Sequence, residues 1–585
     1  MRRCLFLIAL LTLAATPSAA RADTASRPWP PATGQGTLMV HYGEEHLHDA
    51  DGPTLLPKVV EESARYKPAL VTTSGDKNDD GTVDQLQRWK QTLSPYDGAG
   101  IPFFAAVGNH DRKTPPGVPP GTAGLLTPGV QGDLTNYKQV FSDRPYPFGD
   151  AAPYKASGFA QRGRPADDPP GASSHYFVDY EKVRVIFVDN SCWGIADCDS
   201  SQNPPFPDAQ GNRTQLDFMR RSASDASAQG KQVFVVMHIP TRDPRDQSYA
   251  DPTTFNHVMG KGLGTGALDN MRFEEAAEQG GVDGVMLGHI KGQFLYKGRG
   301  GVQYYIDGGA GGELYTTGPV GTDHGYWHGF RLLRADGGRV TTDTVPIFVK
   351  DGIRLEGPRH LRAGAGAHYD AFGRQPVFED PAMVPSLELR DPIRPAQSAP
   401  TTTPLDAVPV PARIFTTSDP QVVAPVASRG DDPRRDPKTQ TEDGGFRAAC
   451  SGRARVRITS GFETTAKPVS VASARGRIVR RAKAYGAKRL RPGRRLTVAR
   501  VRLGQRARLL VRIRRKGRTV RVLRNACLAP GSKQLRARWD GRISSRGKLR
   551  RARAGTYRAQ VLIRSDRRTL KRSALVRVAR PAKRR

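Results

Sequence analysis

Phe103-Phe104-Ala105-Ala106-Val107-Gly108-Asn109-His110-Asp111 decides how the first half of this chain is read. Five uninterrupted apolar residues suit a strand buried on both faces. The run then breaks at once into glycine, amide, imidazole and carboxylate. The same arrangement recurs at four other places. Residues 37–42 lead to Glu44-Glu45-His46, 69–73 to Gly75-Asp76-Lys77-Asn78-Asp79, 233–237 to His238, and 282–287 to Gly288-His289-Ile290-Lys291. Between the first three runs, Leu56, Val59, Val60 and Ala64, and then Val83, Leu86, Trp89 and Leu93, fall at helical spacing. Strand, helix, strand, helix predicts an α/β layered domain, and in such sheets ligands collect beyond the carboxyl ends of the strands. Five strand ends therefore deliver carboxylate, imidazole and amide oxygen to one sheet edge. That donor set suits one or two divalent ions such as Mn, Fe or Zn.

The ordered blocks resemble those of the calcineurin-like metallophosphoesterases: Asp-x-His, Gly-Asp-x-x-Asp/Asn, Gly-Asn-His-Asp/Glu, a lone His, and Gly-His-x-His. Each block has a counterpart here, and the likeness covers about residues 37–347. The resemblance implies a β-sandwich flanked by helices. It also implies hydrolysis of phosphomonoesters or phosphodiesters by hydroxide activated between two metal ions. It places Asp76 as the bridge, with Glu44, His46 and the position of Lys291 on the first ion and Asn109, His238 and His289 on the second. His110 contacts phosphate or protonates the leaving oxygen, with Asp111 as its orienting partner. Two departures concern the first ion. Glu44 stands where the family has Asp, and Lys291 where it has the last His. A protonated lysine has no lone pair to donate. Three readings follow. Lys291 sets its charge beside the phosphate. Or His48, His324 or His328 completes the first site. Or the first site is empty, and the chain is a degenerate phosphoesterase fold that serves as a polyanion-binding surface protein. The purple acid phosphatase branch marks the second block with a Tyr, and Lys77, Asn78 and Asp79 stand there instead.

Other residues receive plainer expectations. Asp189 reads as a strand-end cap, Glu45 as solvated, and His257 and His360 as surface side chains. Tyr326 and Trp327 read as core. Gly308-Gly309-Ala310-Gly311-Gly312 lacks the Gly-Lys-Ser/Thr of a phosphate loop. It is expected to pack close to the metal edge. Residues 114–174 form a Pro- and Gly-rich excursion.

A chain of 585 residues exceeds what one core supports. Arg2 and Arg3, the apolar stretch 5–15 and Ala20-Arg21-Ala22 read as an export signal over residues 1–22. No later segment is apolar enough to span a bilayer. The mature chain is expected outside the cytoplasm, secreted or associated with the cell envelope. Two disulfides are then expected, Cys192 with Cys198 and Cys450 with Cys527, with a zinc site as the alternative. The phosphoesterase-like domain is assigned to residues 23–349 and a β-rich or linker region to 350–446. Residues 447–585 form a basic β-sandwich.

Charge is unevenly spread. Residues 446–585 carry 46 Lys and Arg against 3 acids, a net +43 against +35 for the whole chain, so the front part is at −8. The tail alternates apolar and polar residues, as in 509–514 and 558–563. Its Trp539-Asp540-Gly541, Gly547 and Ala554-Gly555-Thr556-Tyr557 resemble the Ig-like domain of flagellar hook-capping proteins. The expected partners are a phosphorylated small molecule or polymer at the sheet edge and an anionic cell-surface polymer at the basic tail.

Overall fold

The computed structural model describes residues 30–32, 34–48, 52–115, 132–141, 159–163, 174–200, 211–244, 249, 258–259, 266–312, 314, 318–319, 325–348, 352–373, 408–409, 413–426, 435–436, 438–473, 479–484, 489–490, 495–528, 535–545, 548–564 and 569–579. The expected export signal, His257, His324 and most of the 114–174 excursion lie outside these residues.

The front part runs β1 (Thr37–Tyr42), α1 (Gly52–Arg65), β2 (Leu70–Thr73), α2 (Val83–Thr92), α3 (Ser94–Ala99), β3 (Phe103–Ala105), α4 (Thr135–Phe141), β4 (Phe159–Gly163), β5 (Tyr176–Tyr180), β6 (Val183–Phe187), α5 (Ile195–Ser200), α6 (Gln215–Ala228), β7 (Gln232–Val236), α7 (Gly266–Gly280), β8 (Gly284–Leu287), β9 (Gln293–Lys297), β10 (Gln303–Asp307), β11 (Gly318–Pro319), β12 (Gly325–Tyr326), β13 (Gly329–Asp336) and β14 (Arg339–Pro346). Two mixed sheets form. One has the order β14-β13-β1-β2-β3, the other β11-β12-β9-β10-β8-β7-β6-β5-β4.

The continuous apolar runs are buried on both faces for a simple reason. One face of each sheet meets the other sheet, and the opposite face meets helices. Met39, Val40, Val71 and Phe104 share a core with Phe187, Phe234, Val236 and Met286 from the second sheet, and with Leu56 and Val59 of α1 and Trp89 of α2. Ile186, Val235 and Val285 turn the other way, into a core with Phe218 of α6 and Phe273 of α7. The result is an α/β domain whose two sheets are flanked by helices. α2 begins where Thr82 accepts a hydrogen bond from the Gln85 amide, a cap that satisfies one orphan N–H.

Within the sheets β1, β2 and β3 are parallel, as are β6, β7, β8 and β10. Their carboxyl ends meet at one edge. There the Gly43 amide donates to the Asp307 carbonyl at 2.9 Å, the Glu44 amide to Gly75 at 3.1 Å, and the Gly288 amide to His238 at 3.0 Å.

Beyond residue 352 the chain is all β. Strands from 353 to 472 form three small sheets around a core that includes Phe415, Phe446, Val456 and Val471. Gly452–Ser460 pairs with Ile414–Thr417 and with Glu463–Ala472. Residues 452–472, beyond the expected boundary at 446/447, thus pair with the middle strands. The last module starts at about residue 479. It stacks a three-stranded and a five-stranded sheet around Trp539 and Tyr557.

Both expected disulfides form. Cys192 pairs with Cys198 and Cys450 with Cys527. The second bond does not sit inside one domain, as the sequence suggested. It ties the middle module to strand Arg518–Leu528 of the last one. Arg508 adds an ion pair to Asp419 across the same junction, at 3.1 Å.

Candidate metal centre

The site is built from the tips that follow β1, β2, β3, β7 and β8. Two groups of possible ligands share one carboxylate. His46, Asp76 and His110 form the first, and Asp76, His238 and His289 the second. Asp76 accepts the His110 backbone N–H on Oδ1 at 2.8 Å, and its Oδ2 lies 3.1 Å from His238 Nε2 and 3.7 Å from His46 Nε2. Asn109 Oδ1 is 2.7 Å from His238 Nε2 and 3.1 Å from His289 Nδ1. The two ring nitrogens are themselves 3.2 Å apart. Glu44 lies between the groups. Its Oε1 accepts the His289 backbone N–H at 2.5 Å, and its Oε2 is 3.2 Å from His46 Nε2.

The tautomers show what this crowding means. A carbonyl oxygen can only accept, so a ring nitrogen facing one must be the N–H. His238 Nδ1 faces the Ser74 carbonyl at 3.0 Å, and His110 Nδ1 faces the Asp79 carbonyl at 2.9 Å. His46 Nδ1 donates to Asp79 Oδ1 at 2.7 Å. In the neutral rings each Nε2 then carries a lone pair. That of His238 faces the lone pairs of Asp76 Oδ2 and Asn109 Oδ1, and that of His46 faces Glu44 Oε2. Lone pairs converging at about 3 Å repel unless a positive charge sits among them. Rings tied back through Nδ1–H are also the usual orientation of metal-ligating histidine. The residues present therefore fit a divalent cation. In its absence the charge demand falls on protons. Burial would push His238 down, but Asp76 and Glu44 outweigh it and raise its pKa to about 9. Burial alone would raise Asp76, yet His238 and His110 hold its carboxyl well below the usual range.

The backbone is strained to reach this arrangement. Glu44, His46, Asp76 and His289 have φ of 58°, 33°, 58° and 64°. Such conformations cost non-glycine residues of order 1–3 kcal/mol each, and they cluster where function over-determines them. Gly75 and Gly108 let the tips cross. A Cβ on Gly75, at φ +103°, would lie 2.3 Å from the Gly108 nitrogen, and one on Gly108 would lie 2.2 Å from the Asp76 nitrogen. The 308–312 glycine loop packs on the β1 tip as expected. A Cβ on Gly311 would meet the Glu45 carbonyl oxygen at 2.0 Å, and one on Gly312 would meet the His46 ring at 2.8 Å.

Several expectations change. Asp111 does not orient His110. Its carboxylate accepts from the Gly108 and Lys77 amides at 2.8 and 2.9 Å, and it pairs with the fully buried Lys77 ammonium at 2.7 Å. It anchors the two tips from below, and Asp79 holds the His110 ring. Glu45 is not solvated. It is fully buried, accepts from the Thr73 hydroxyl, and is pushed up to about 8 chiefly by burial, against the pull of Lys77. Asp189 is more than a cap, because it forms a buried ion pair with Arg112 at 3.0 Å. Trp327 is core, as expected. His328 is buried with Nδ1 3.3 Å from the Gly309 carbonyl, and neither it nor His48 joins a ligand group among the described residues. Lys291 is half-buried in the loop after His289. No cysteine belongs to a ligand group among the described residues.

Sequence reasoning missed Asp79 as the shared anchor of two imidazoles, although the second block contains it. It also missed Trp193, whose ring meets His289 edge-on at 4.9 Å beside the Cys192–Cys198 disulfide.

No protein-family profile and no curated protein matches the chain. Among solved structures it is similar to the purple acid phosphatase PPD1 from yellow lupin (Lupinus luteus) seeds, at TM-score 0.34 and 14% identity over 60% of this chain and 54% of that one. It is similar to GAP50, the anchor in the inner membrane complex of Plasmodium, at 0.31 and 14% over 54% and 85%. It is also similar to a dimetal phosphatase from Danio rerio, at 0.30 and 12% over 53% and 96%. The chain thus spans about half the length of the lupin enzyme.

Proposed function

We propose that the chain is a metal-dependent phosphoesterase acting on a phosphomonoester or phosphodiester. One observation carries the reading: Asp76 Oδ2 and Asn109 Oδ1 approach His238 Nε2 to 3.1 and 2.7 Å at a strained meeting of five strand tips. Asp76, Asn109, His238 and His289 would hold one divalent ion, and Glu44, His46 and Asp76 would serve the other. Such ions supply positive charge for the phosphoryl oxygens and acidify water. The chain's own groups do the positioning. The Ser74 carbonyl and Asp79 fix the tautomers, and ionised Asp76 brings the two groups into register. The Lys77–Asp111 pair locks the β2 and β3 tips. Trp193 backs His289.

The test is hydrolysis of an aryl phosphate and a bis-aryl phosphodiester by the purified full-length chain supplied with Mn, Zn or Fe. Turnover that a chelator abolishes and Asp76→Asn lowers well over 100-fold is expected, since losing even an outer partner of a ligand costs 10–100-fold. An inert protein with every metal would overturn the reading and leave the degenerate-fold alternative.

A second proposal concerns the basic module, which we infer attaches the enzyme to an anionic polymer outside the cytoplasm. Lys483, Arg500 and Arg536 lie directly opposite one another on three adjacent strands, and Arg514 lies opposite Arg558 on the other sheet. Like charges in that register destabilise an unliganded sheet, and a polyanion relieves them. An Ig-like build is supported by the two stacked sheets and by Trp539, whose Nε1–H donates to the Arg542 carbonyl at 2.8 Å across the Asp540-Gly541 turn. Export is supported by the two disulfides, which persist in oxidising compartments. No helix among the described residues is long and apolar enough to cross a membrane.

A further inference from the structure

A protonated Lys291 cannot ligate, so the first ion of the proposed pair lacks one ligand that the resemblance implies, and His110 lies beside that site. Its ring shares a ligand group with His46 and Asp76, and the two imidazole centroids are 4.9 Å apart, edge to face. Its Nδ1–H is spent on the Asp79 carbonyl at 2.9 Å. Asp79 fixes His46 Nδ1 as well, through its carboxylate at 2.7 Å. One residue therefore presets two rings, each with Nε2 left to ligate, in the manner in which the Ser74 carbonyl presets His238. With Nδ1–H held by that main-chain carbonyl, Nε2 is the end of the ring that is turned to the site. The β3 tip delivers this ring at no added strain. His110 lies on the short helical turn Asn109–Asp111, whose amides are held by Asp76 Oδ1 and the Gly108 carbonyl.

We propose that His110 is a metal ligand of the first site, through Nε2. It supplies the ligand that Lys291 does not, in place of the phosphate-contacting or proton-donor role that the resemblance implies. This rests on the metal reading above. It goes beyond that reading by assigning the ligand that the Lys291 departure removes.

The test is stoichiometry. The full-length chain is stripped with a chelator and reloaded with Mn(II) or Co(II). Bound metal is counted by mass spectrometry, and the Co(II) visible spectrum is recorded. The parent is expected to hold two ions per chain, and Lys291→His alone leaves that count unchanged. His110→Ala is expected to hold one ion and to lose the cobalt absorption of the first site. The double variant His110→Ala/Lys291→His is expected to regain the second ion, a rescue that a merely misfolded His110→Ala would not show. His110→Gln, close to His in bulk, should behave as His110→Ala does. Two ions in His110→Ala, or one ion in both parent and variant, would overturn the assignment while leaving a metal site in place. So would loss of both ions in His110→Ala without rescue by Lys291→His. A parent that binds no ion would overturn the metal reading itself, a result distinct from the others.

Discussion

Asp79 shows how much one side chain can organise. Its carboxylate and its carbonyl oxygen each hold a ring nitrogen of a candidate ligand. Asp79→Ala keeps the carbonyl but frees His46 to rotate and change tautomer. Metal affinity, measured by competitive chelator titration, is expected to fall about 10–100-fold, and unchanged affinity would contradict the anchoring role. Glu45 makes a different point. Its folded pKa of about 8 lies above the ordinary glutamate value of 4.5, so the folded state binds the extra proton between those values. Stability therefore falls as pH rises through that window, since the unfolded state binds fewer protons there. In the metal-free protein Glu45→Gln, which mimics the protonated form, should flatten this slope. Its melting temperature relative to the parent should rise between pH 5 and pH 9. An offset that does not change with pH would mean that Glu45 is ionised in the fold. Neither role was visible in the sequence. Charged letters in a loop read as solvated, and this one is buried with its carboxylate on the Thr73 hydroxyl of β2.

At the scale of elements, most of the layout was legible. The runs at 37–42, 69–73, 103–107, 233–237 and 282–287 became β1, β2, β3, β7 and β8 within two residues at each end, and both predicted helices formed. The cause is that a strand buried on both faces admits few residue types, so its pattern survives in the sequence. The partners of Asp111 were not legible, because they depend on how two tips cross rather than on either tip alone. That crossing makes Gly75 a demanding position. Gly75→Ala combines a φ of +103° with a Cβ 2.3 Å from the Gly108 nitrogen. A loss of about 1–3 kcal/mol is expected from the backbone conformation alone, read from the urea midpoint, together with weaker metal binding. A variant as stable as the parent would show that the tips can separate at little cost.

Across the whole molecule, the boundary between the β modules could not be read from composition. The arginine excess begins near residue 446 inside the middle module, whereas the sheets change partners only after Ala472. Charge composition follows the surface, and module limits follow the pairing. Because the Cys450–Cys527 bond crosses that limit, Cys450→Ala/Cys527→Ala is expected to uncouple the last module. Calorimetry should then show one transition more than in the parent, and an unchanged trace would argue against a staple between modules. The cation rows predict salt-dependent binding to inorganic polyphosphate. Replacing Lys483, Arg500 and Arg536 by Gln should lower the slope of log K against log salt by roughly 2–3, about one per lost phosphate contact, and an unaltered slope would remove those rows from the interface. All of this is arranged around one edge, at which tips from both sheets meet on Asp76. An anomalous difference map from crystals of the full-length protein soaked in Mn(II) tests that claim most directly. A peak within coordination distance of Asp76, Asn109, His238 and His289 is predicted. A fully loaded crystal with no peak there, or with manganese only elsewhere, would contradict it.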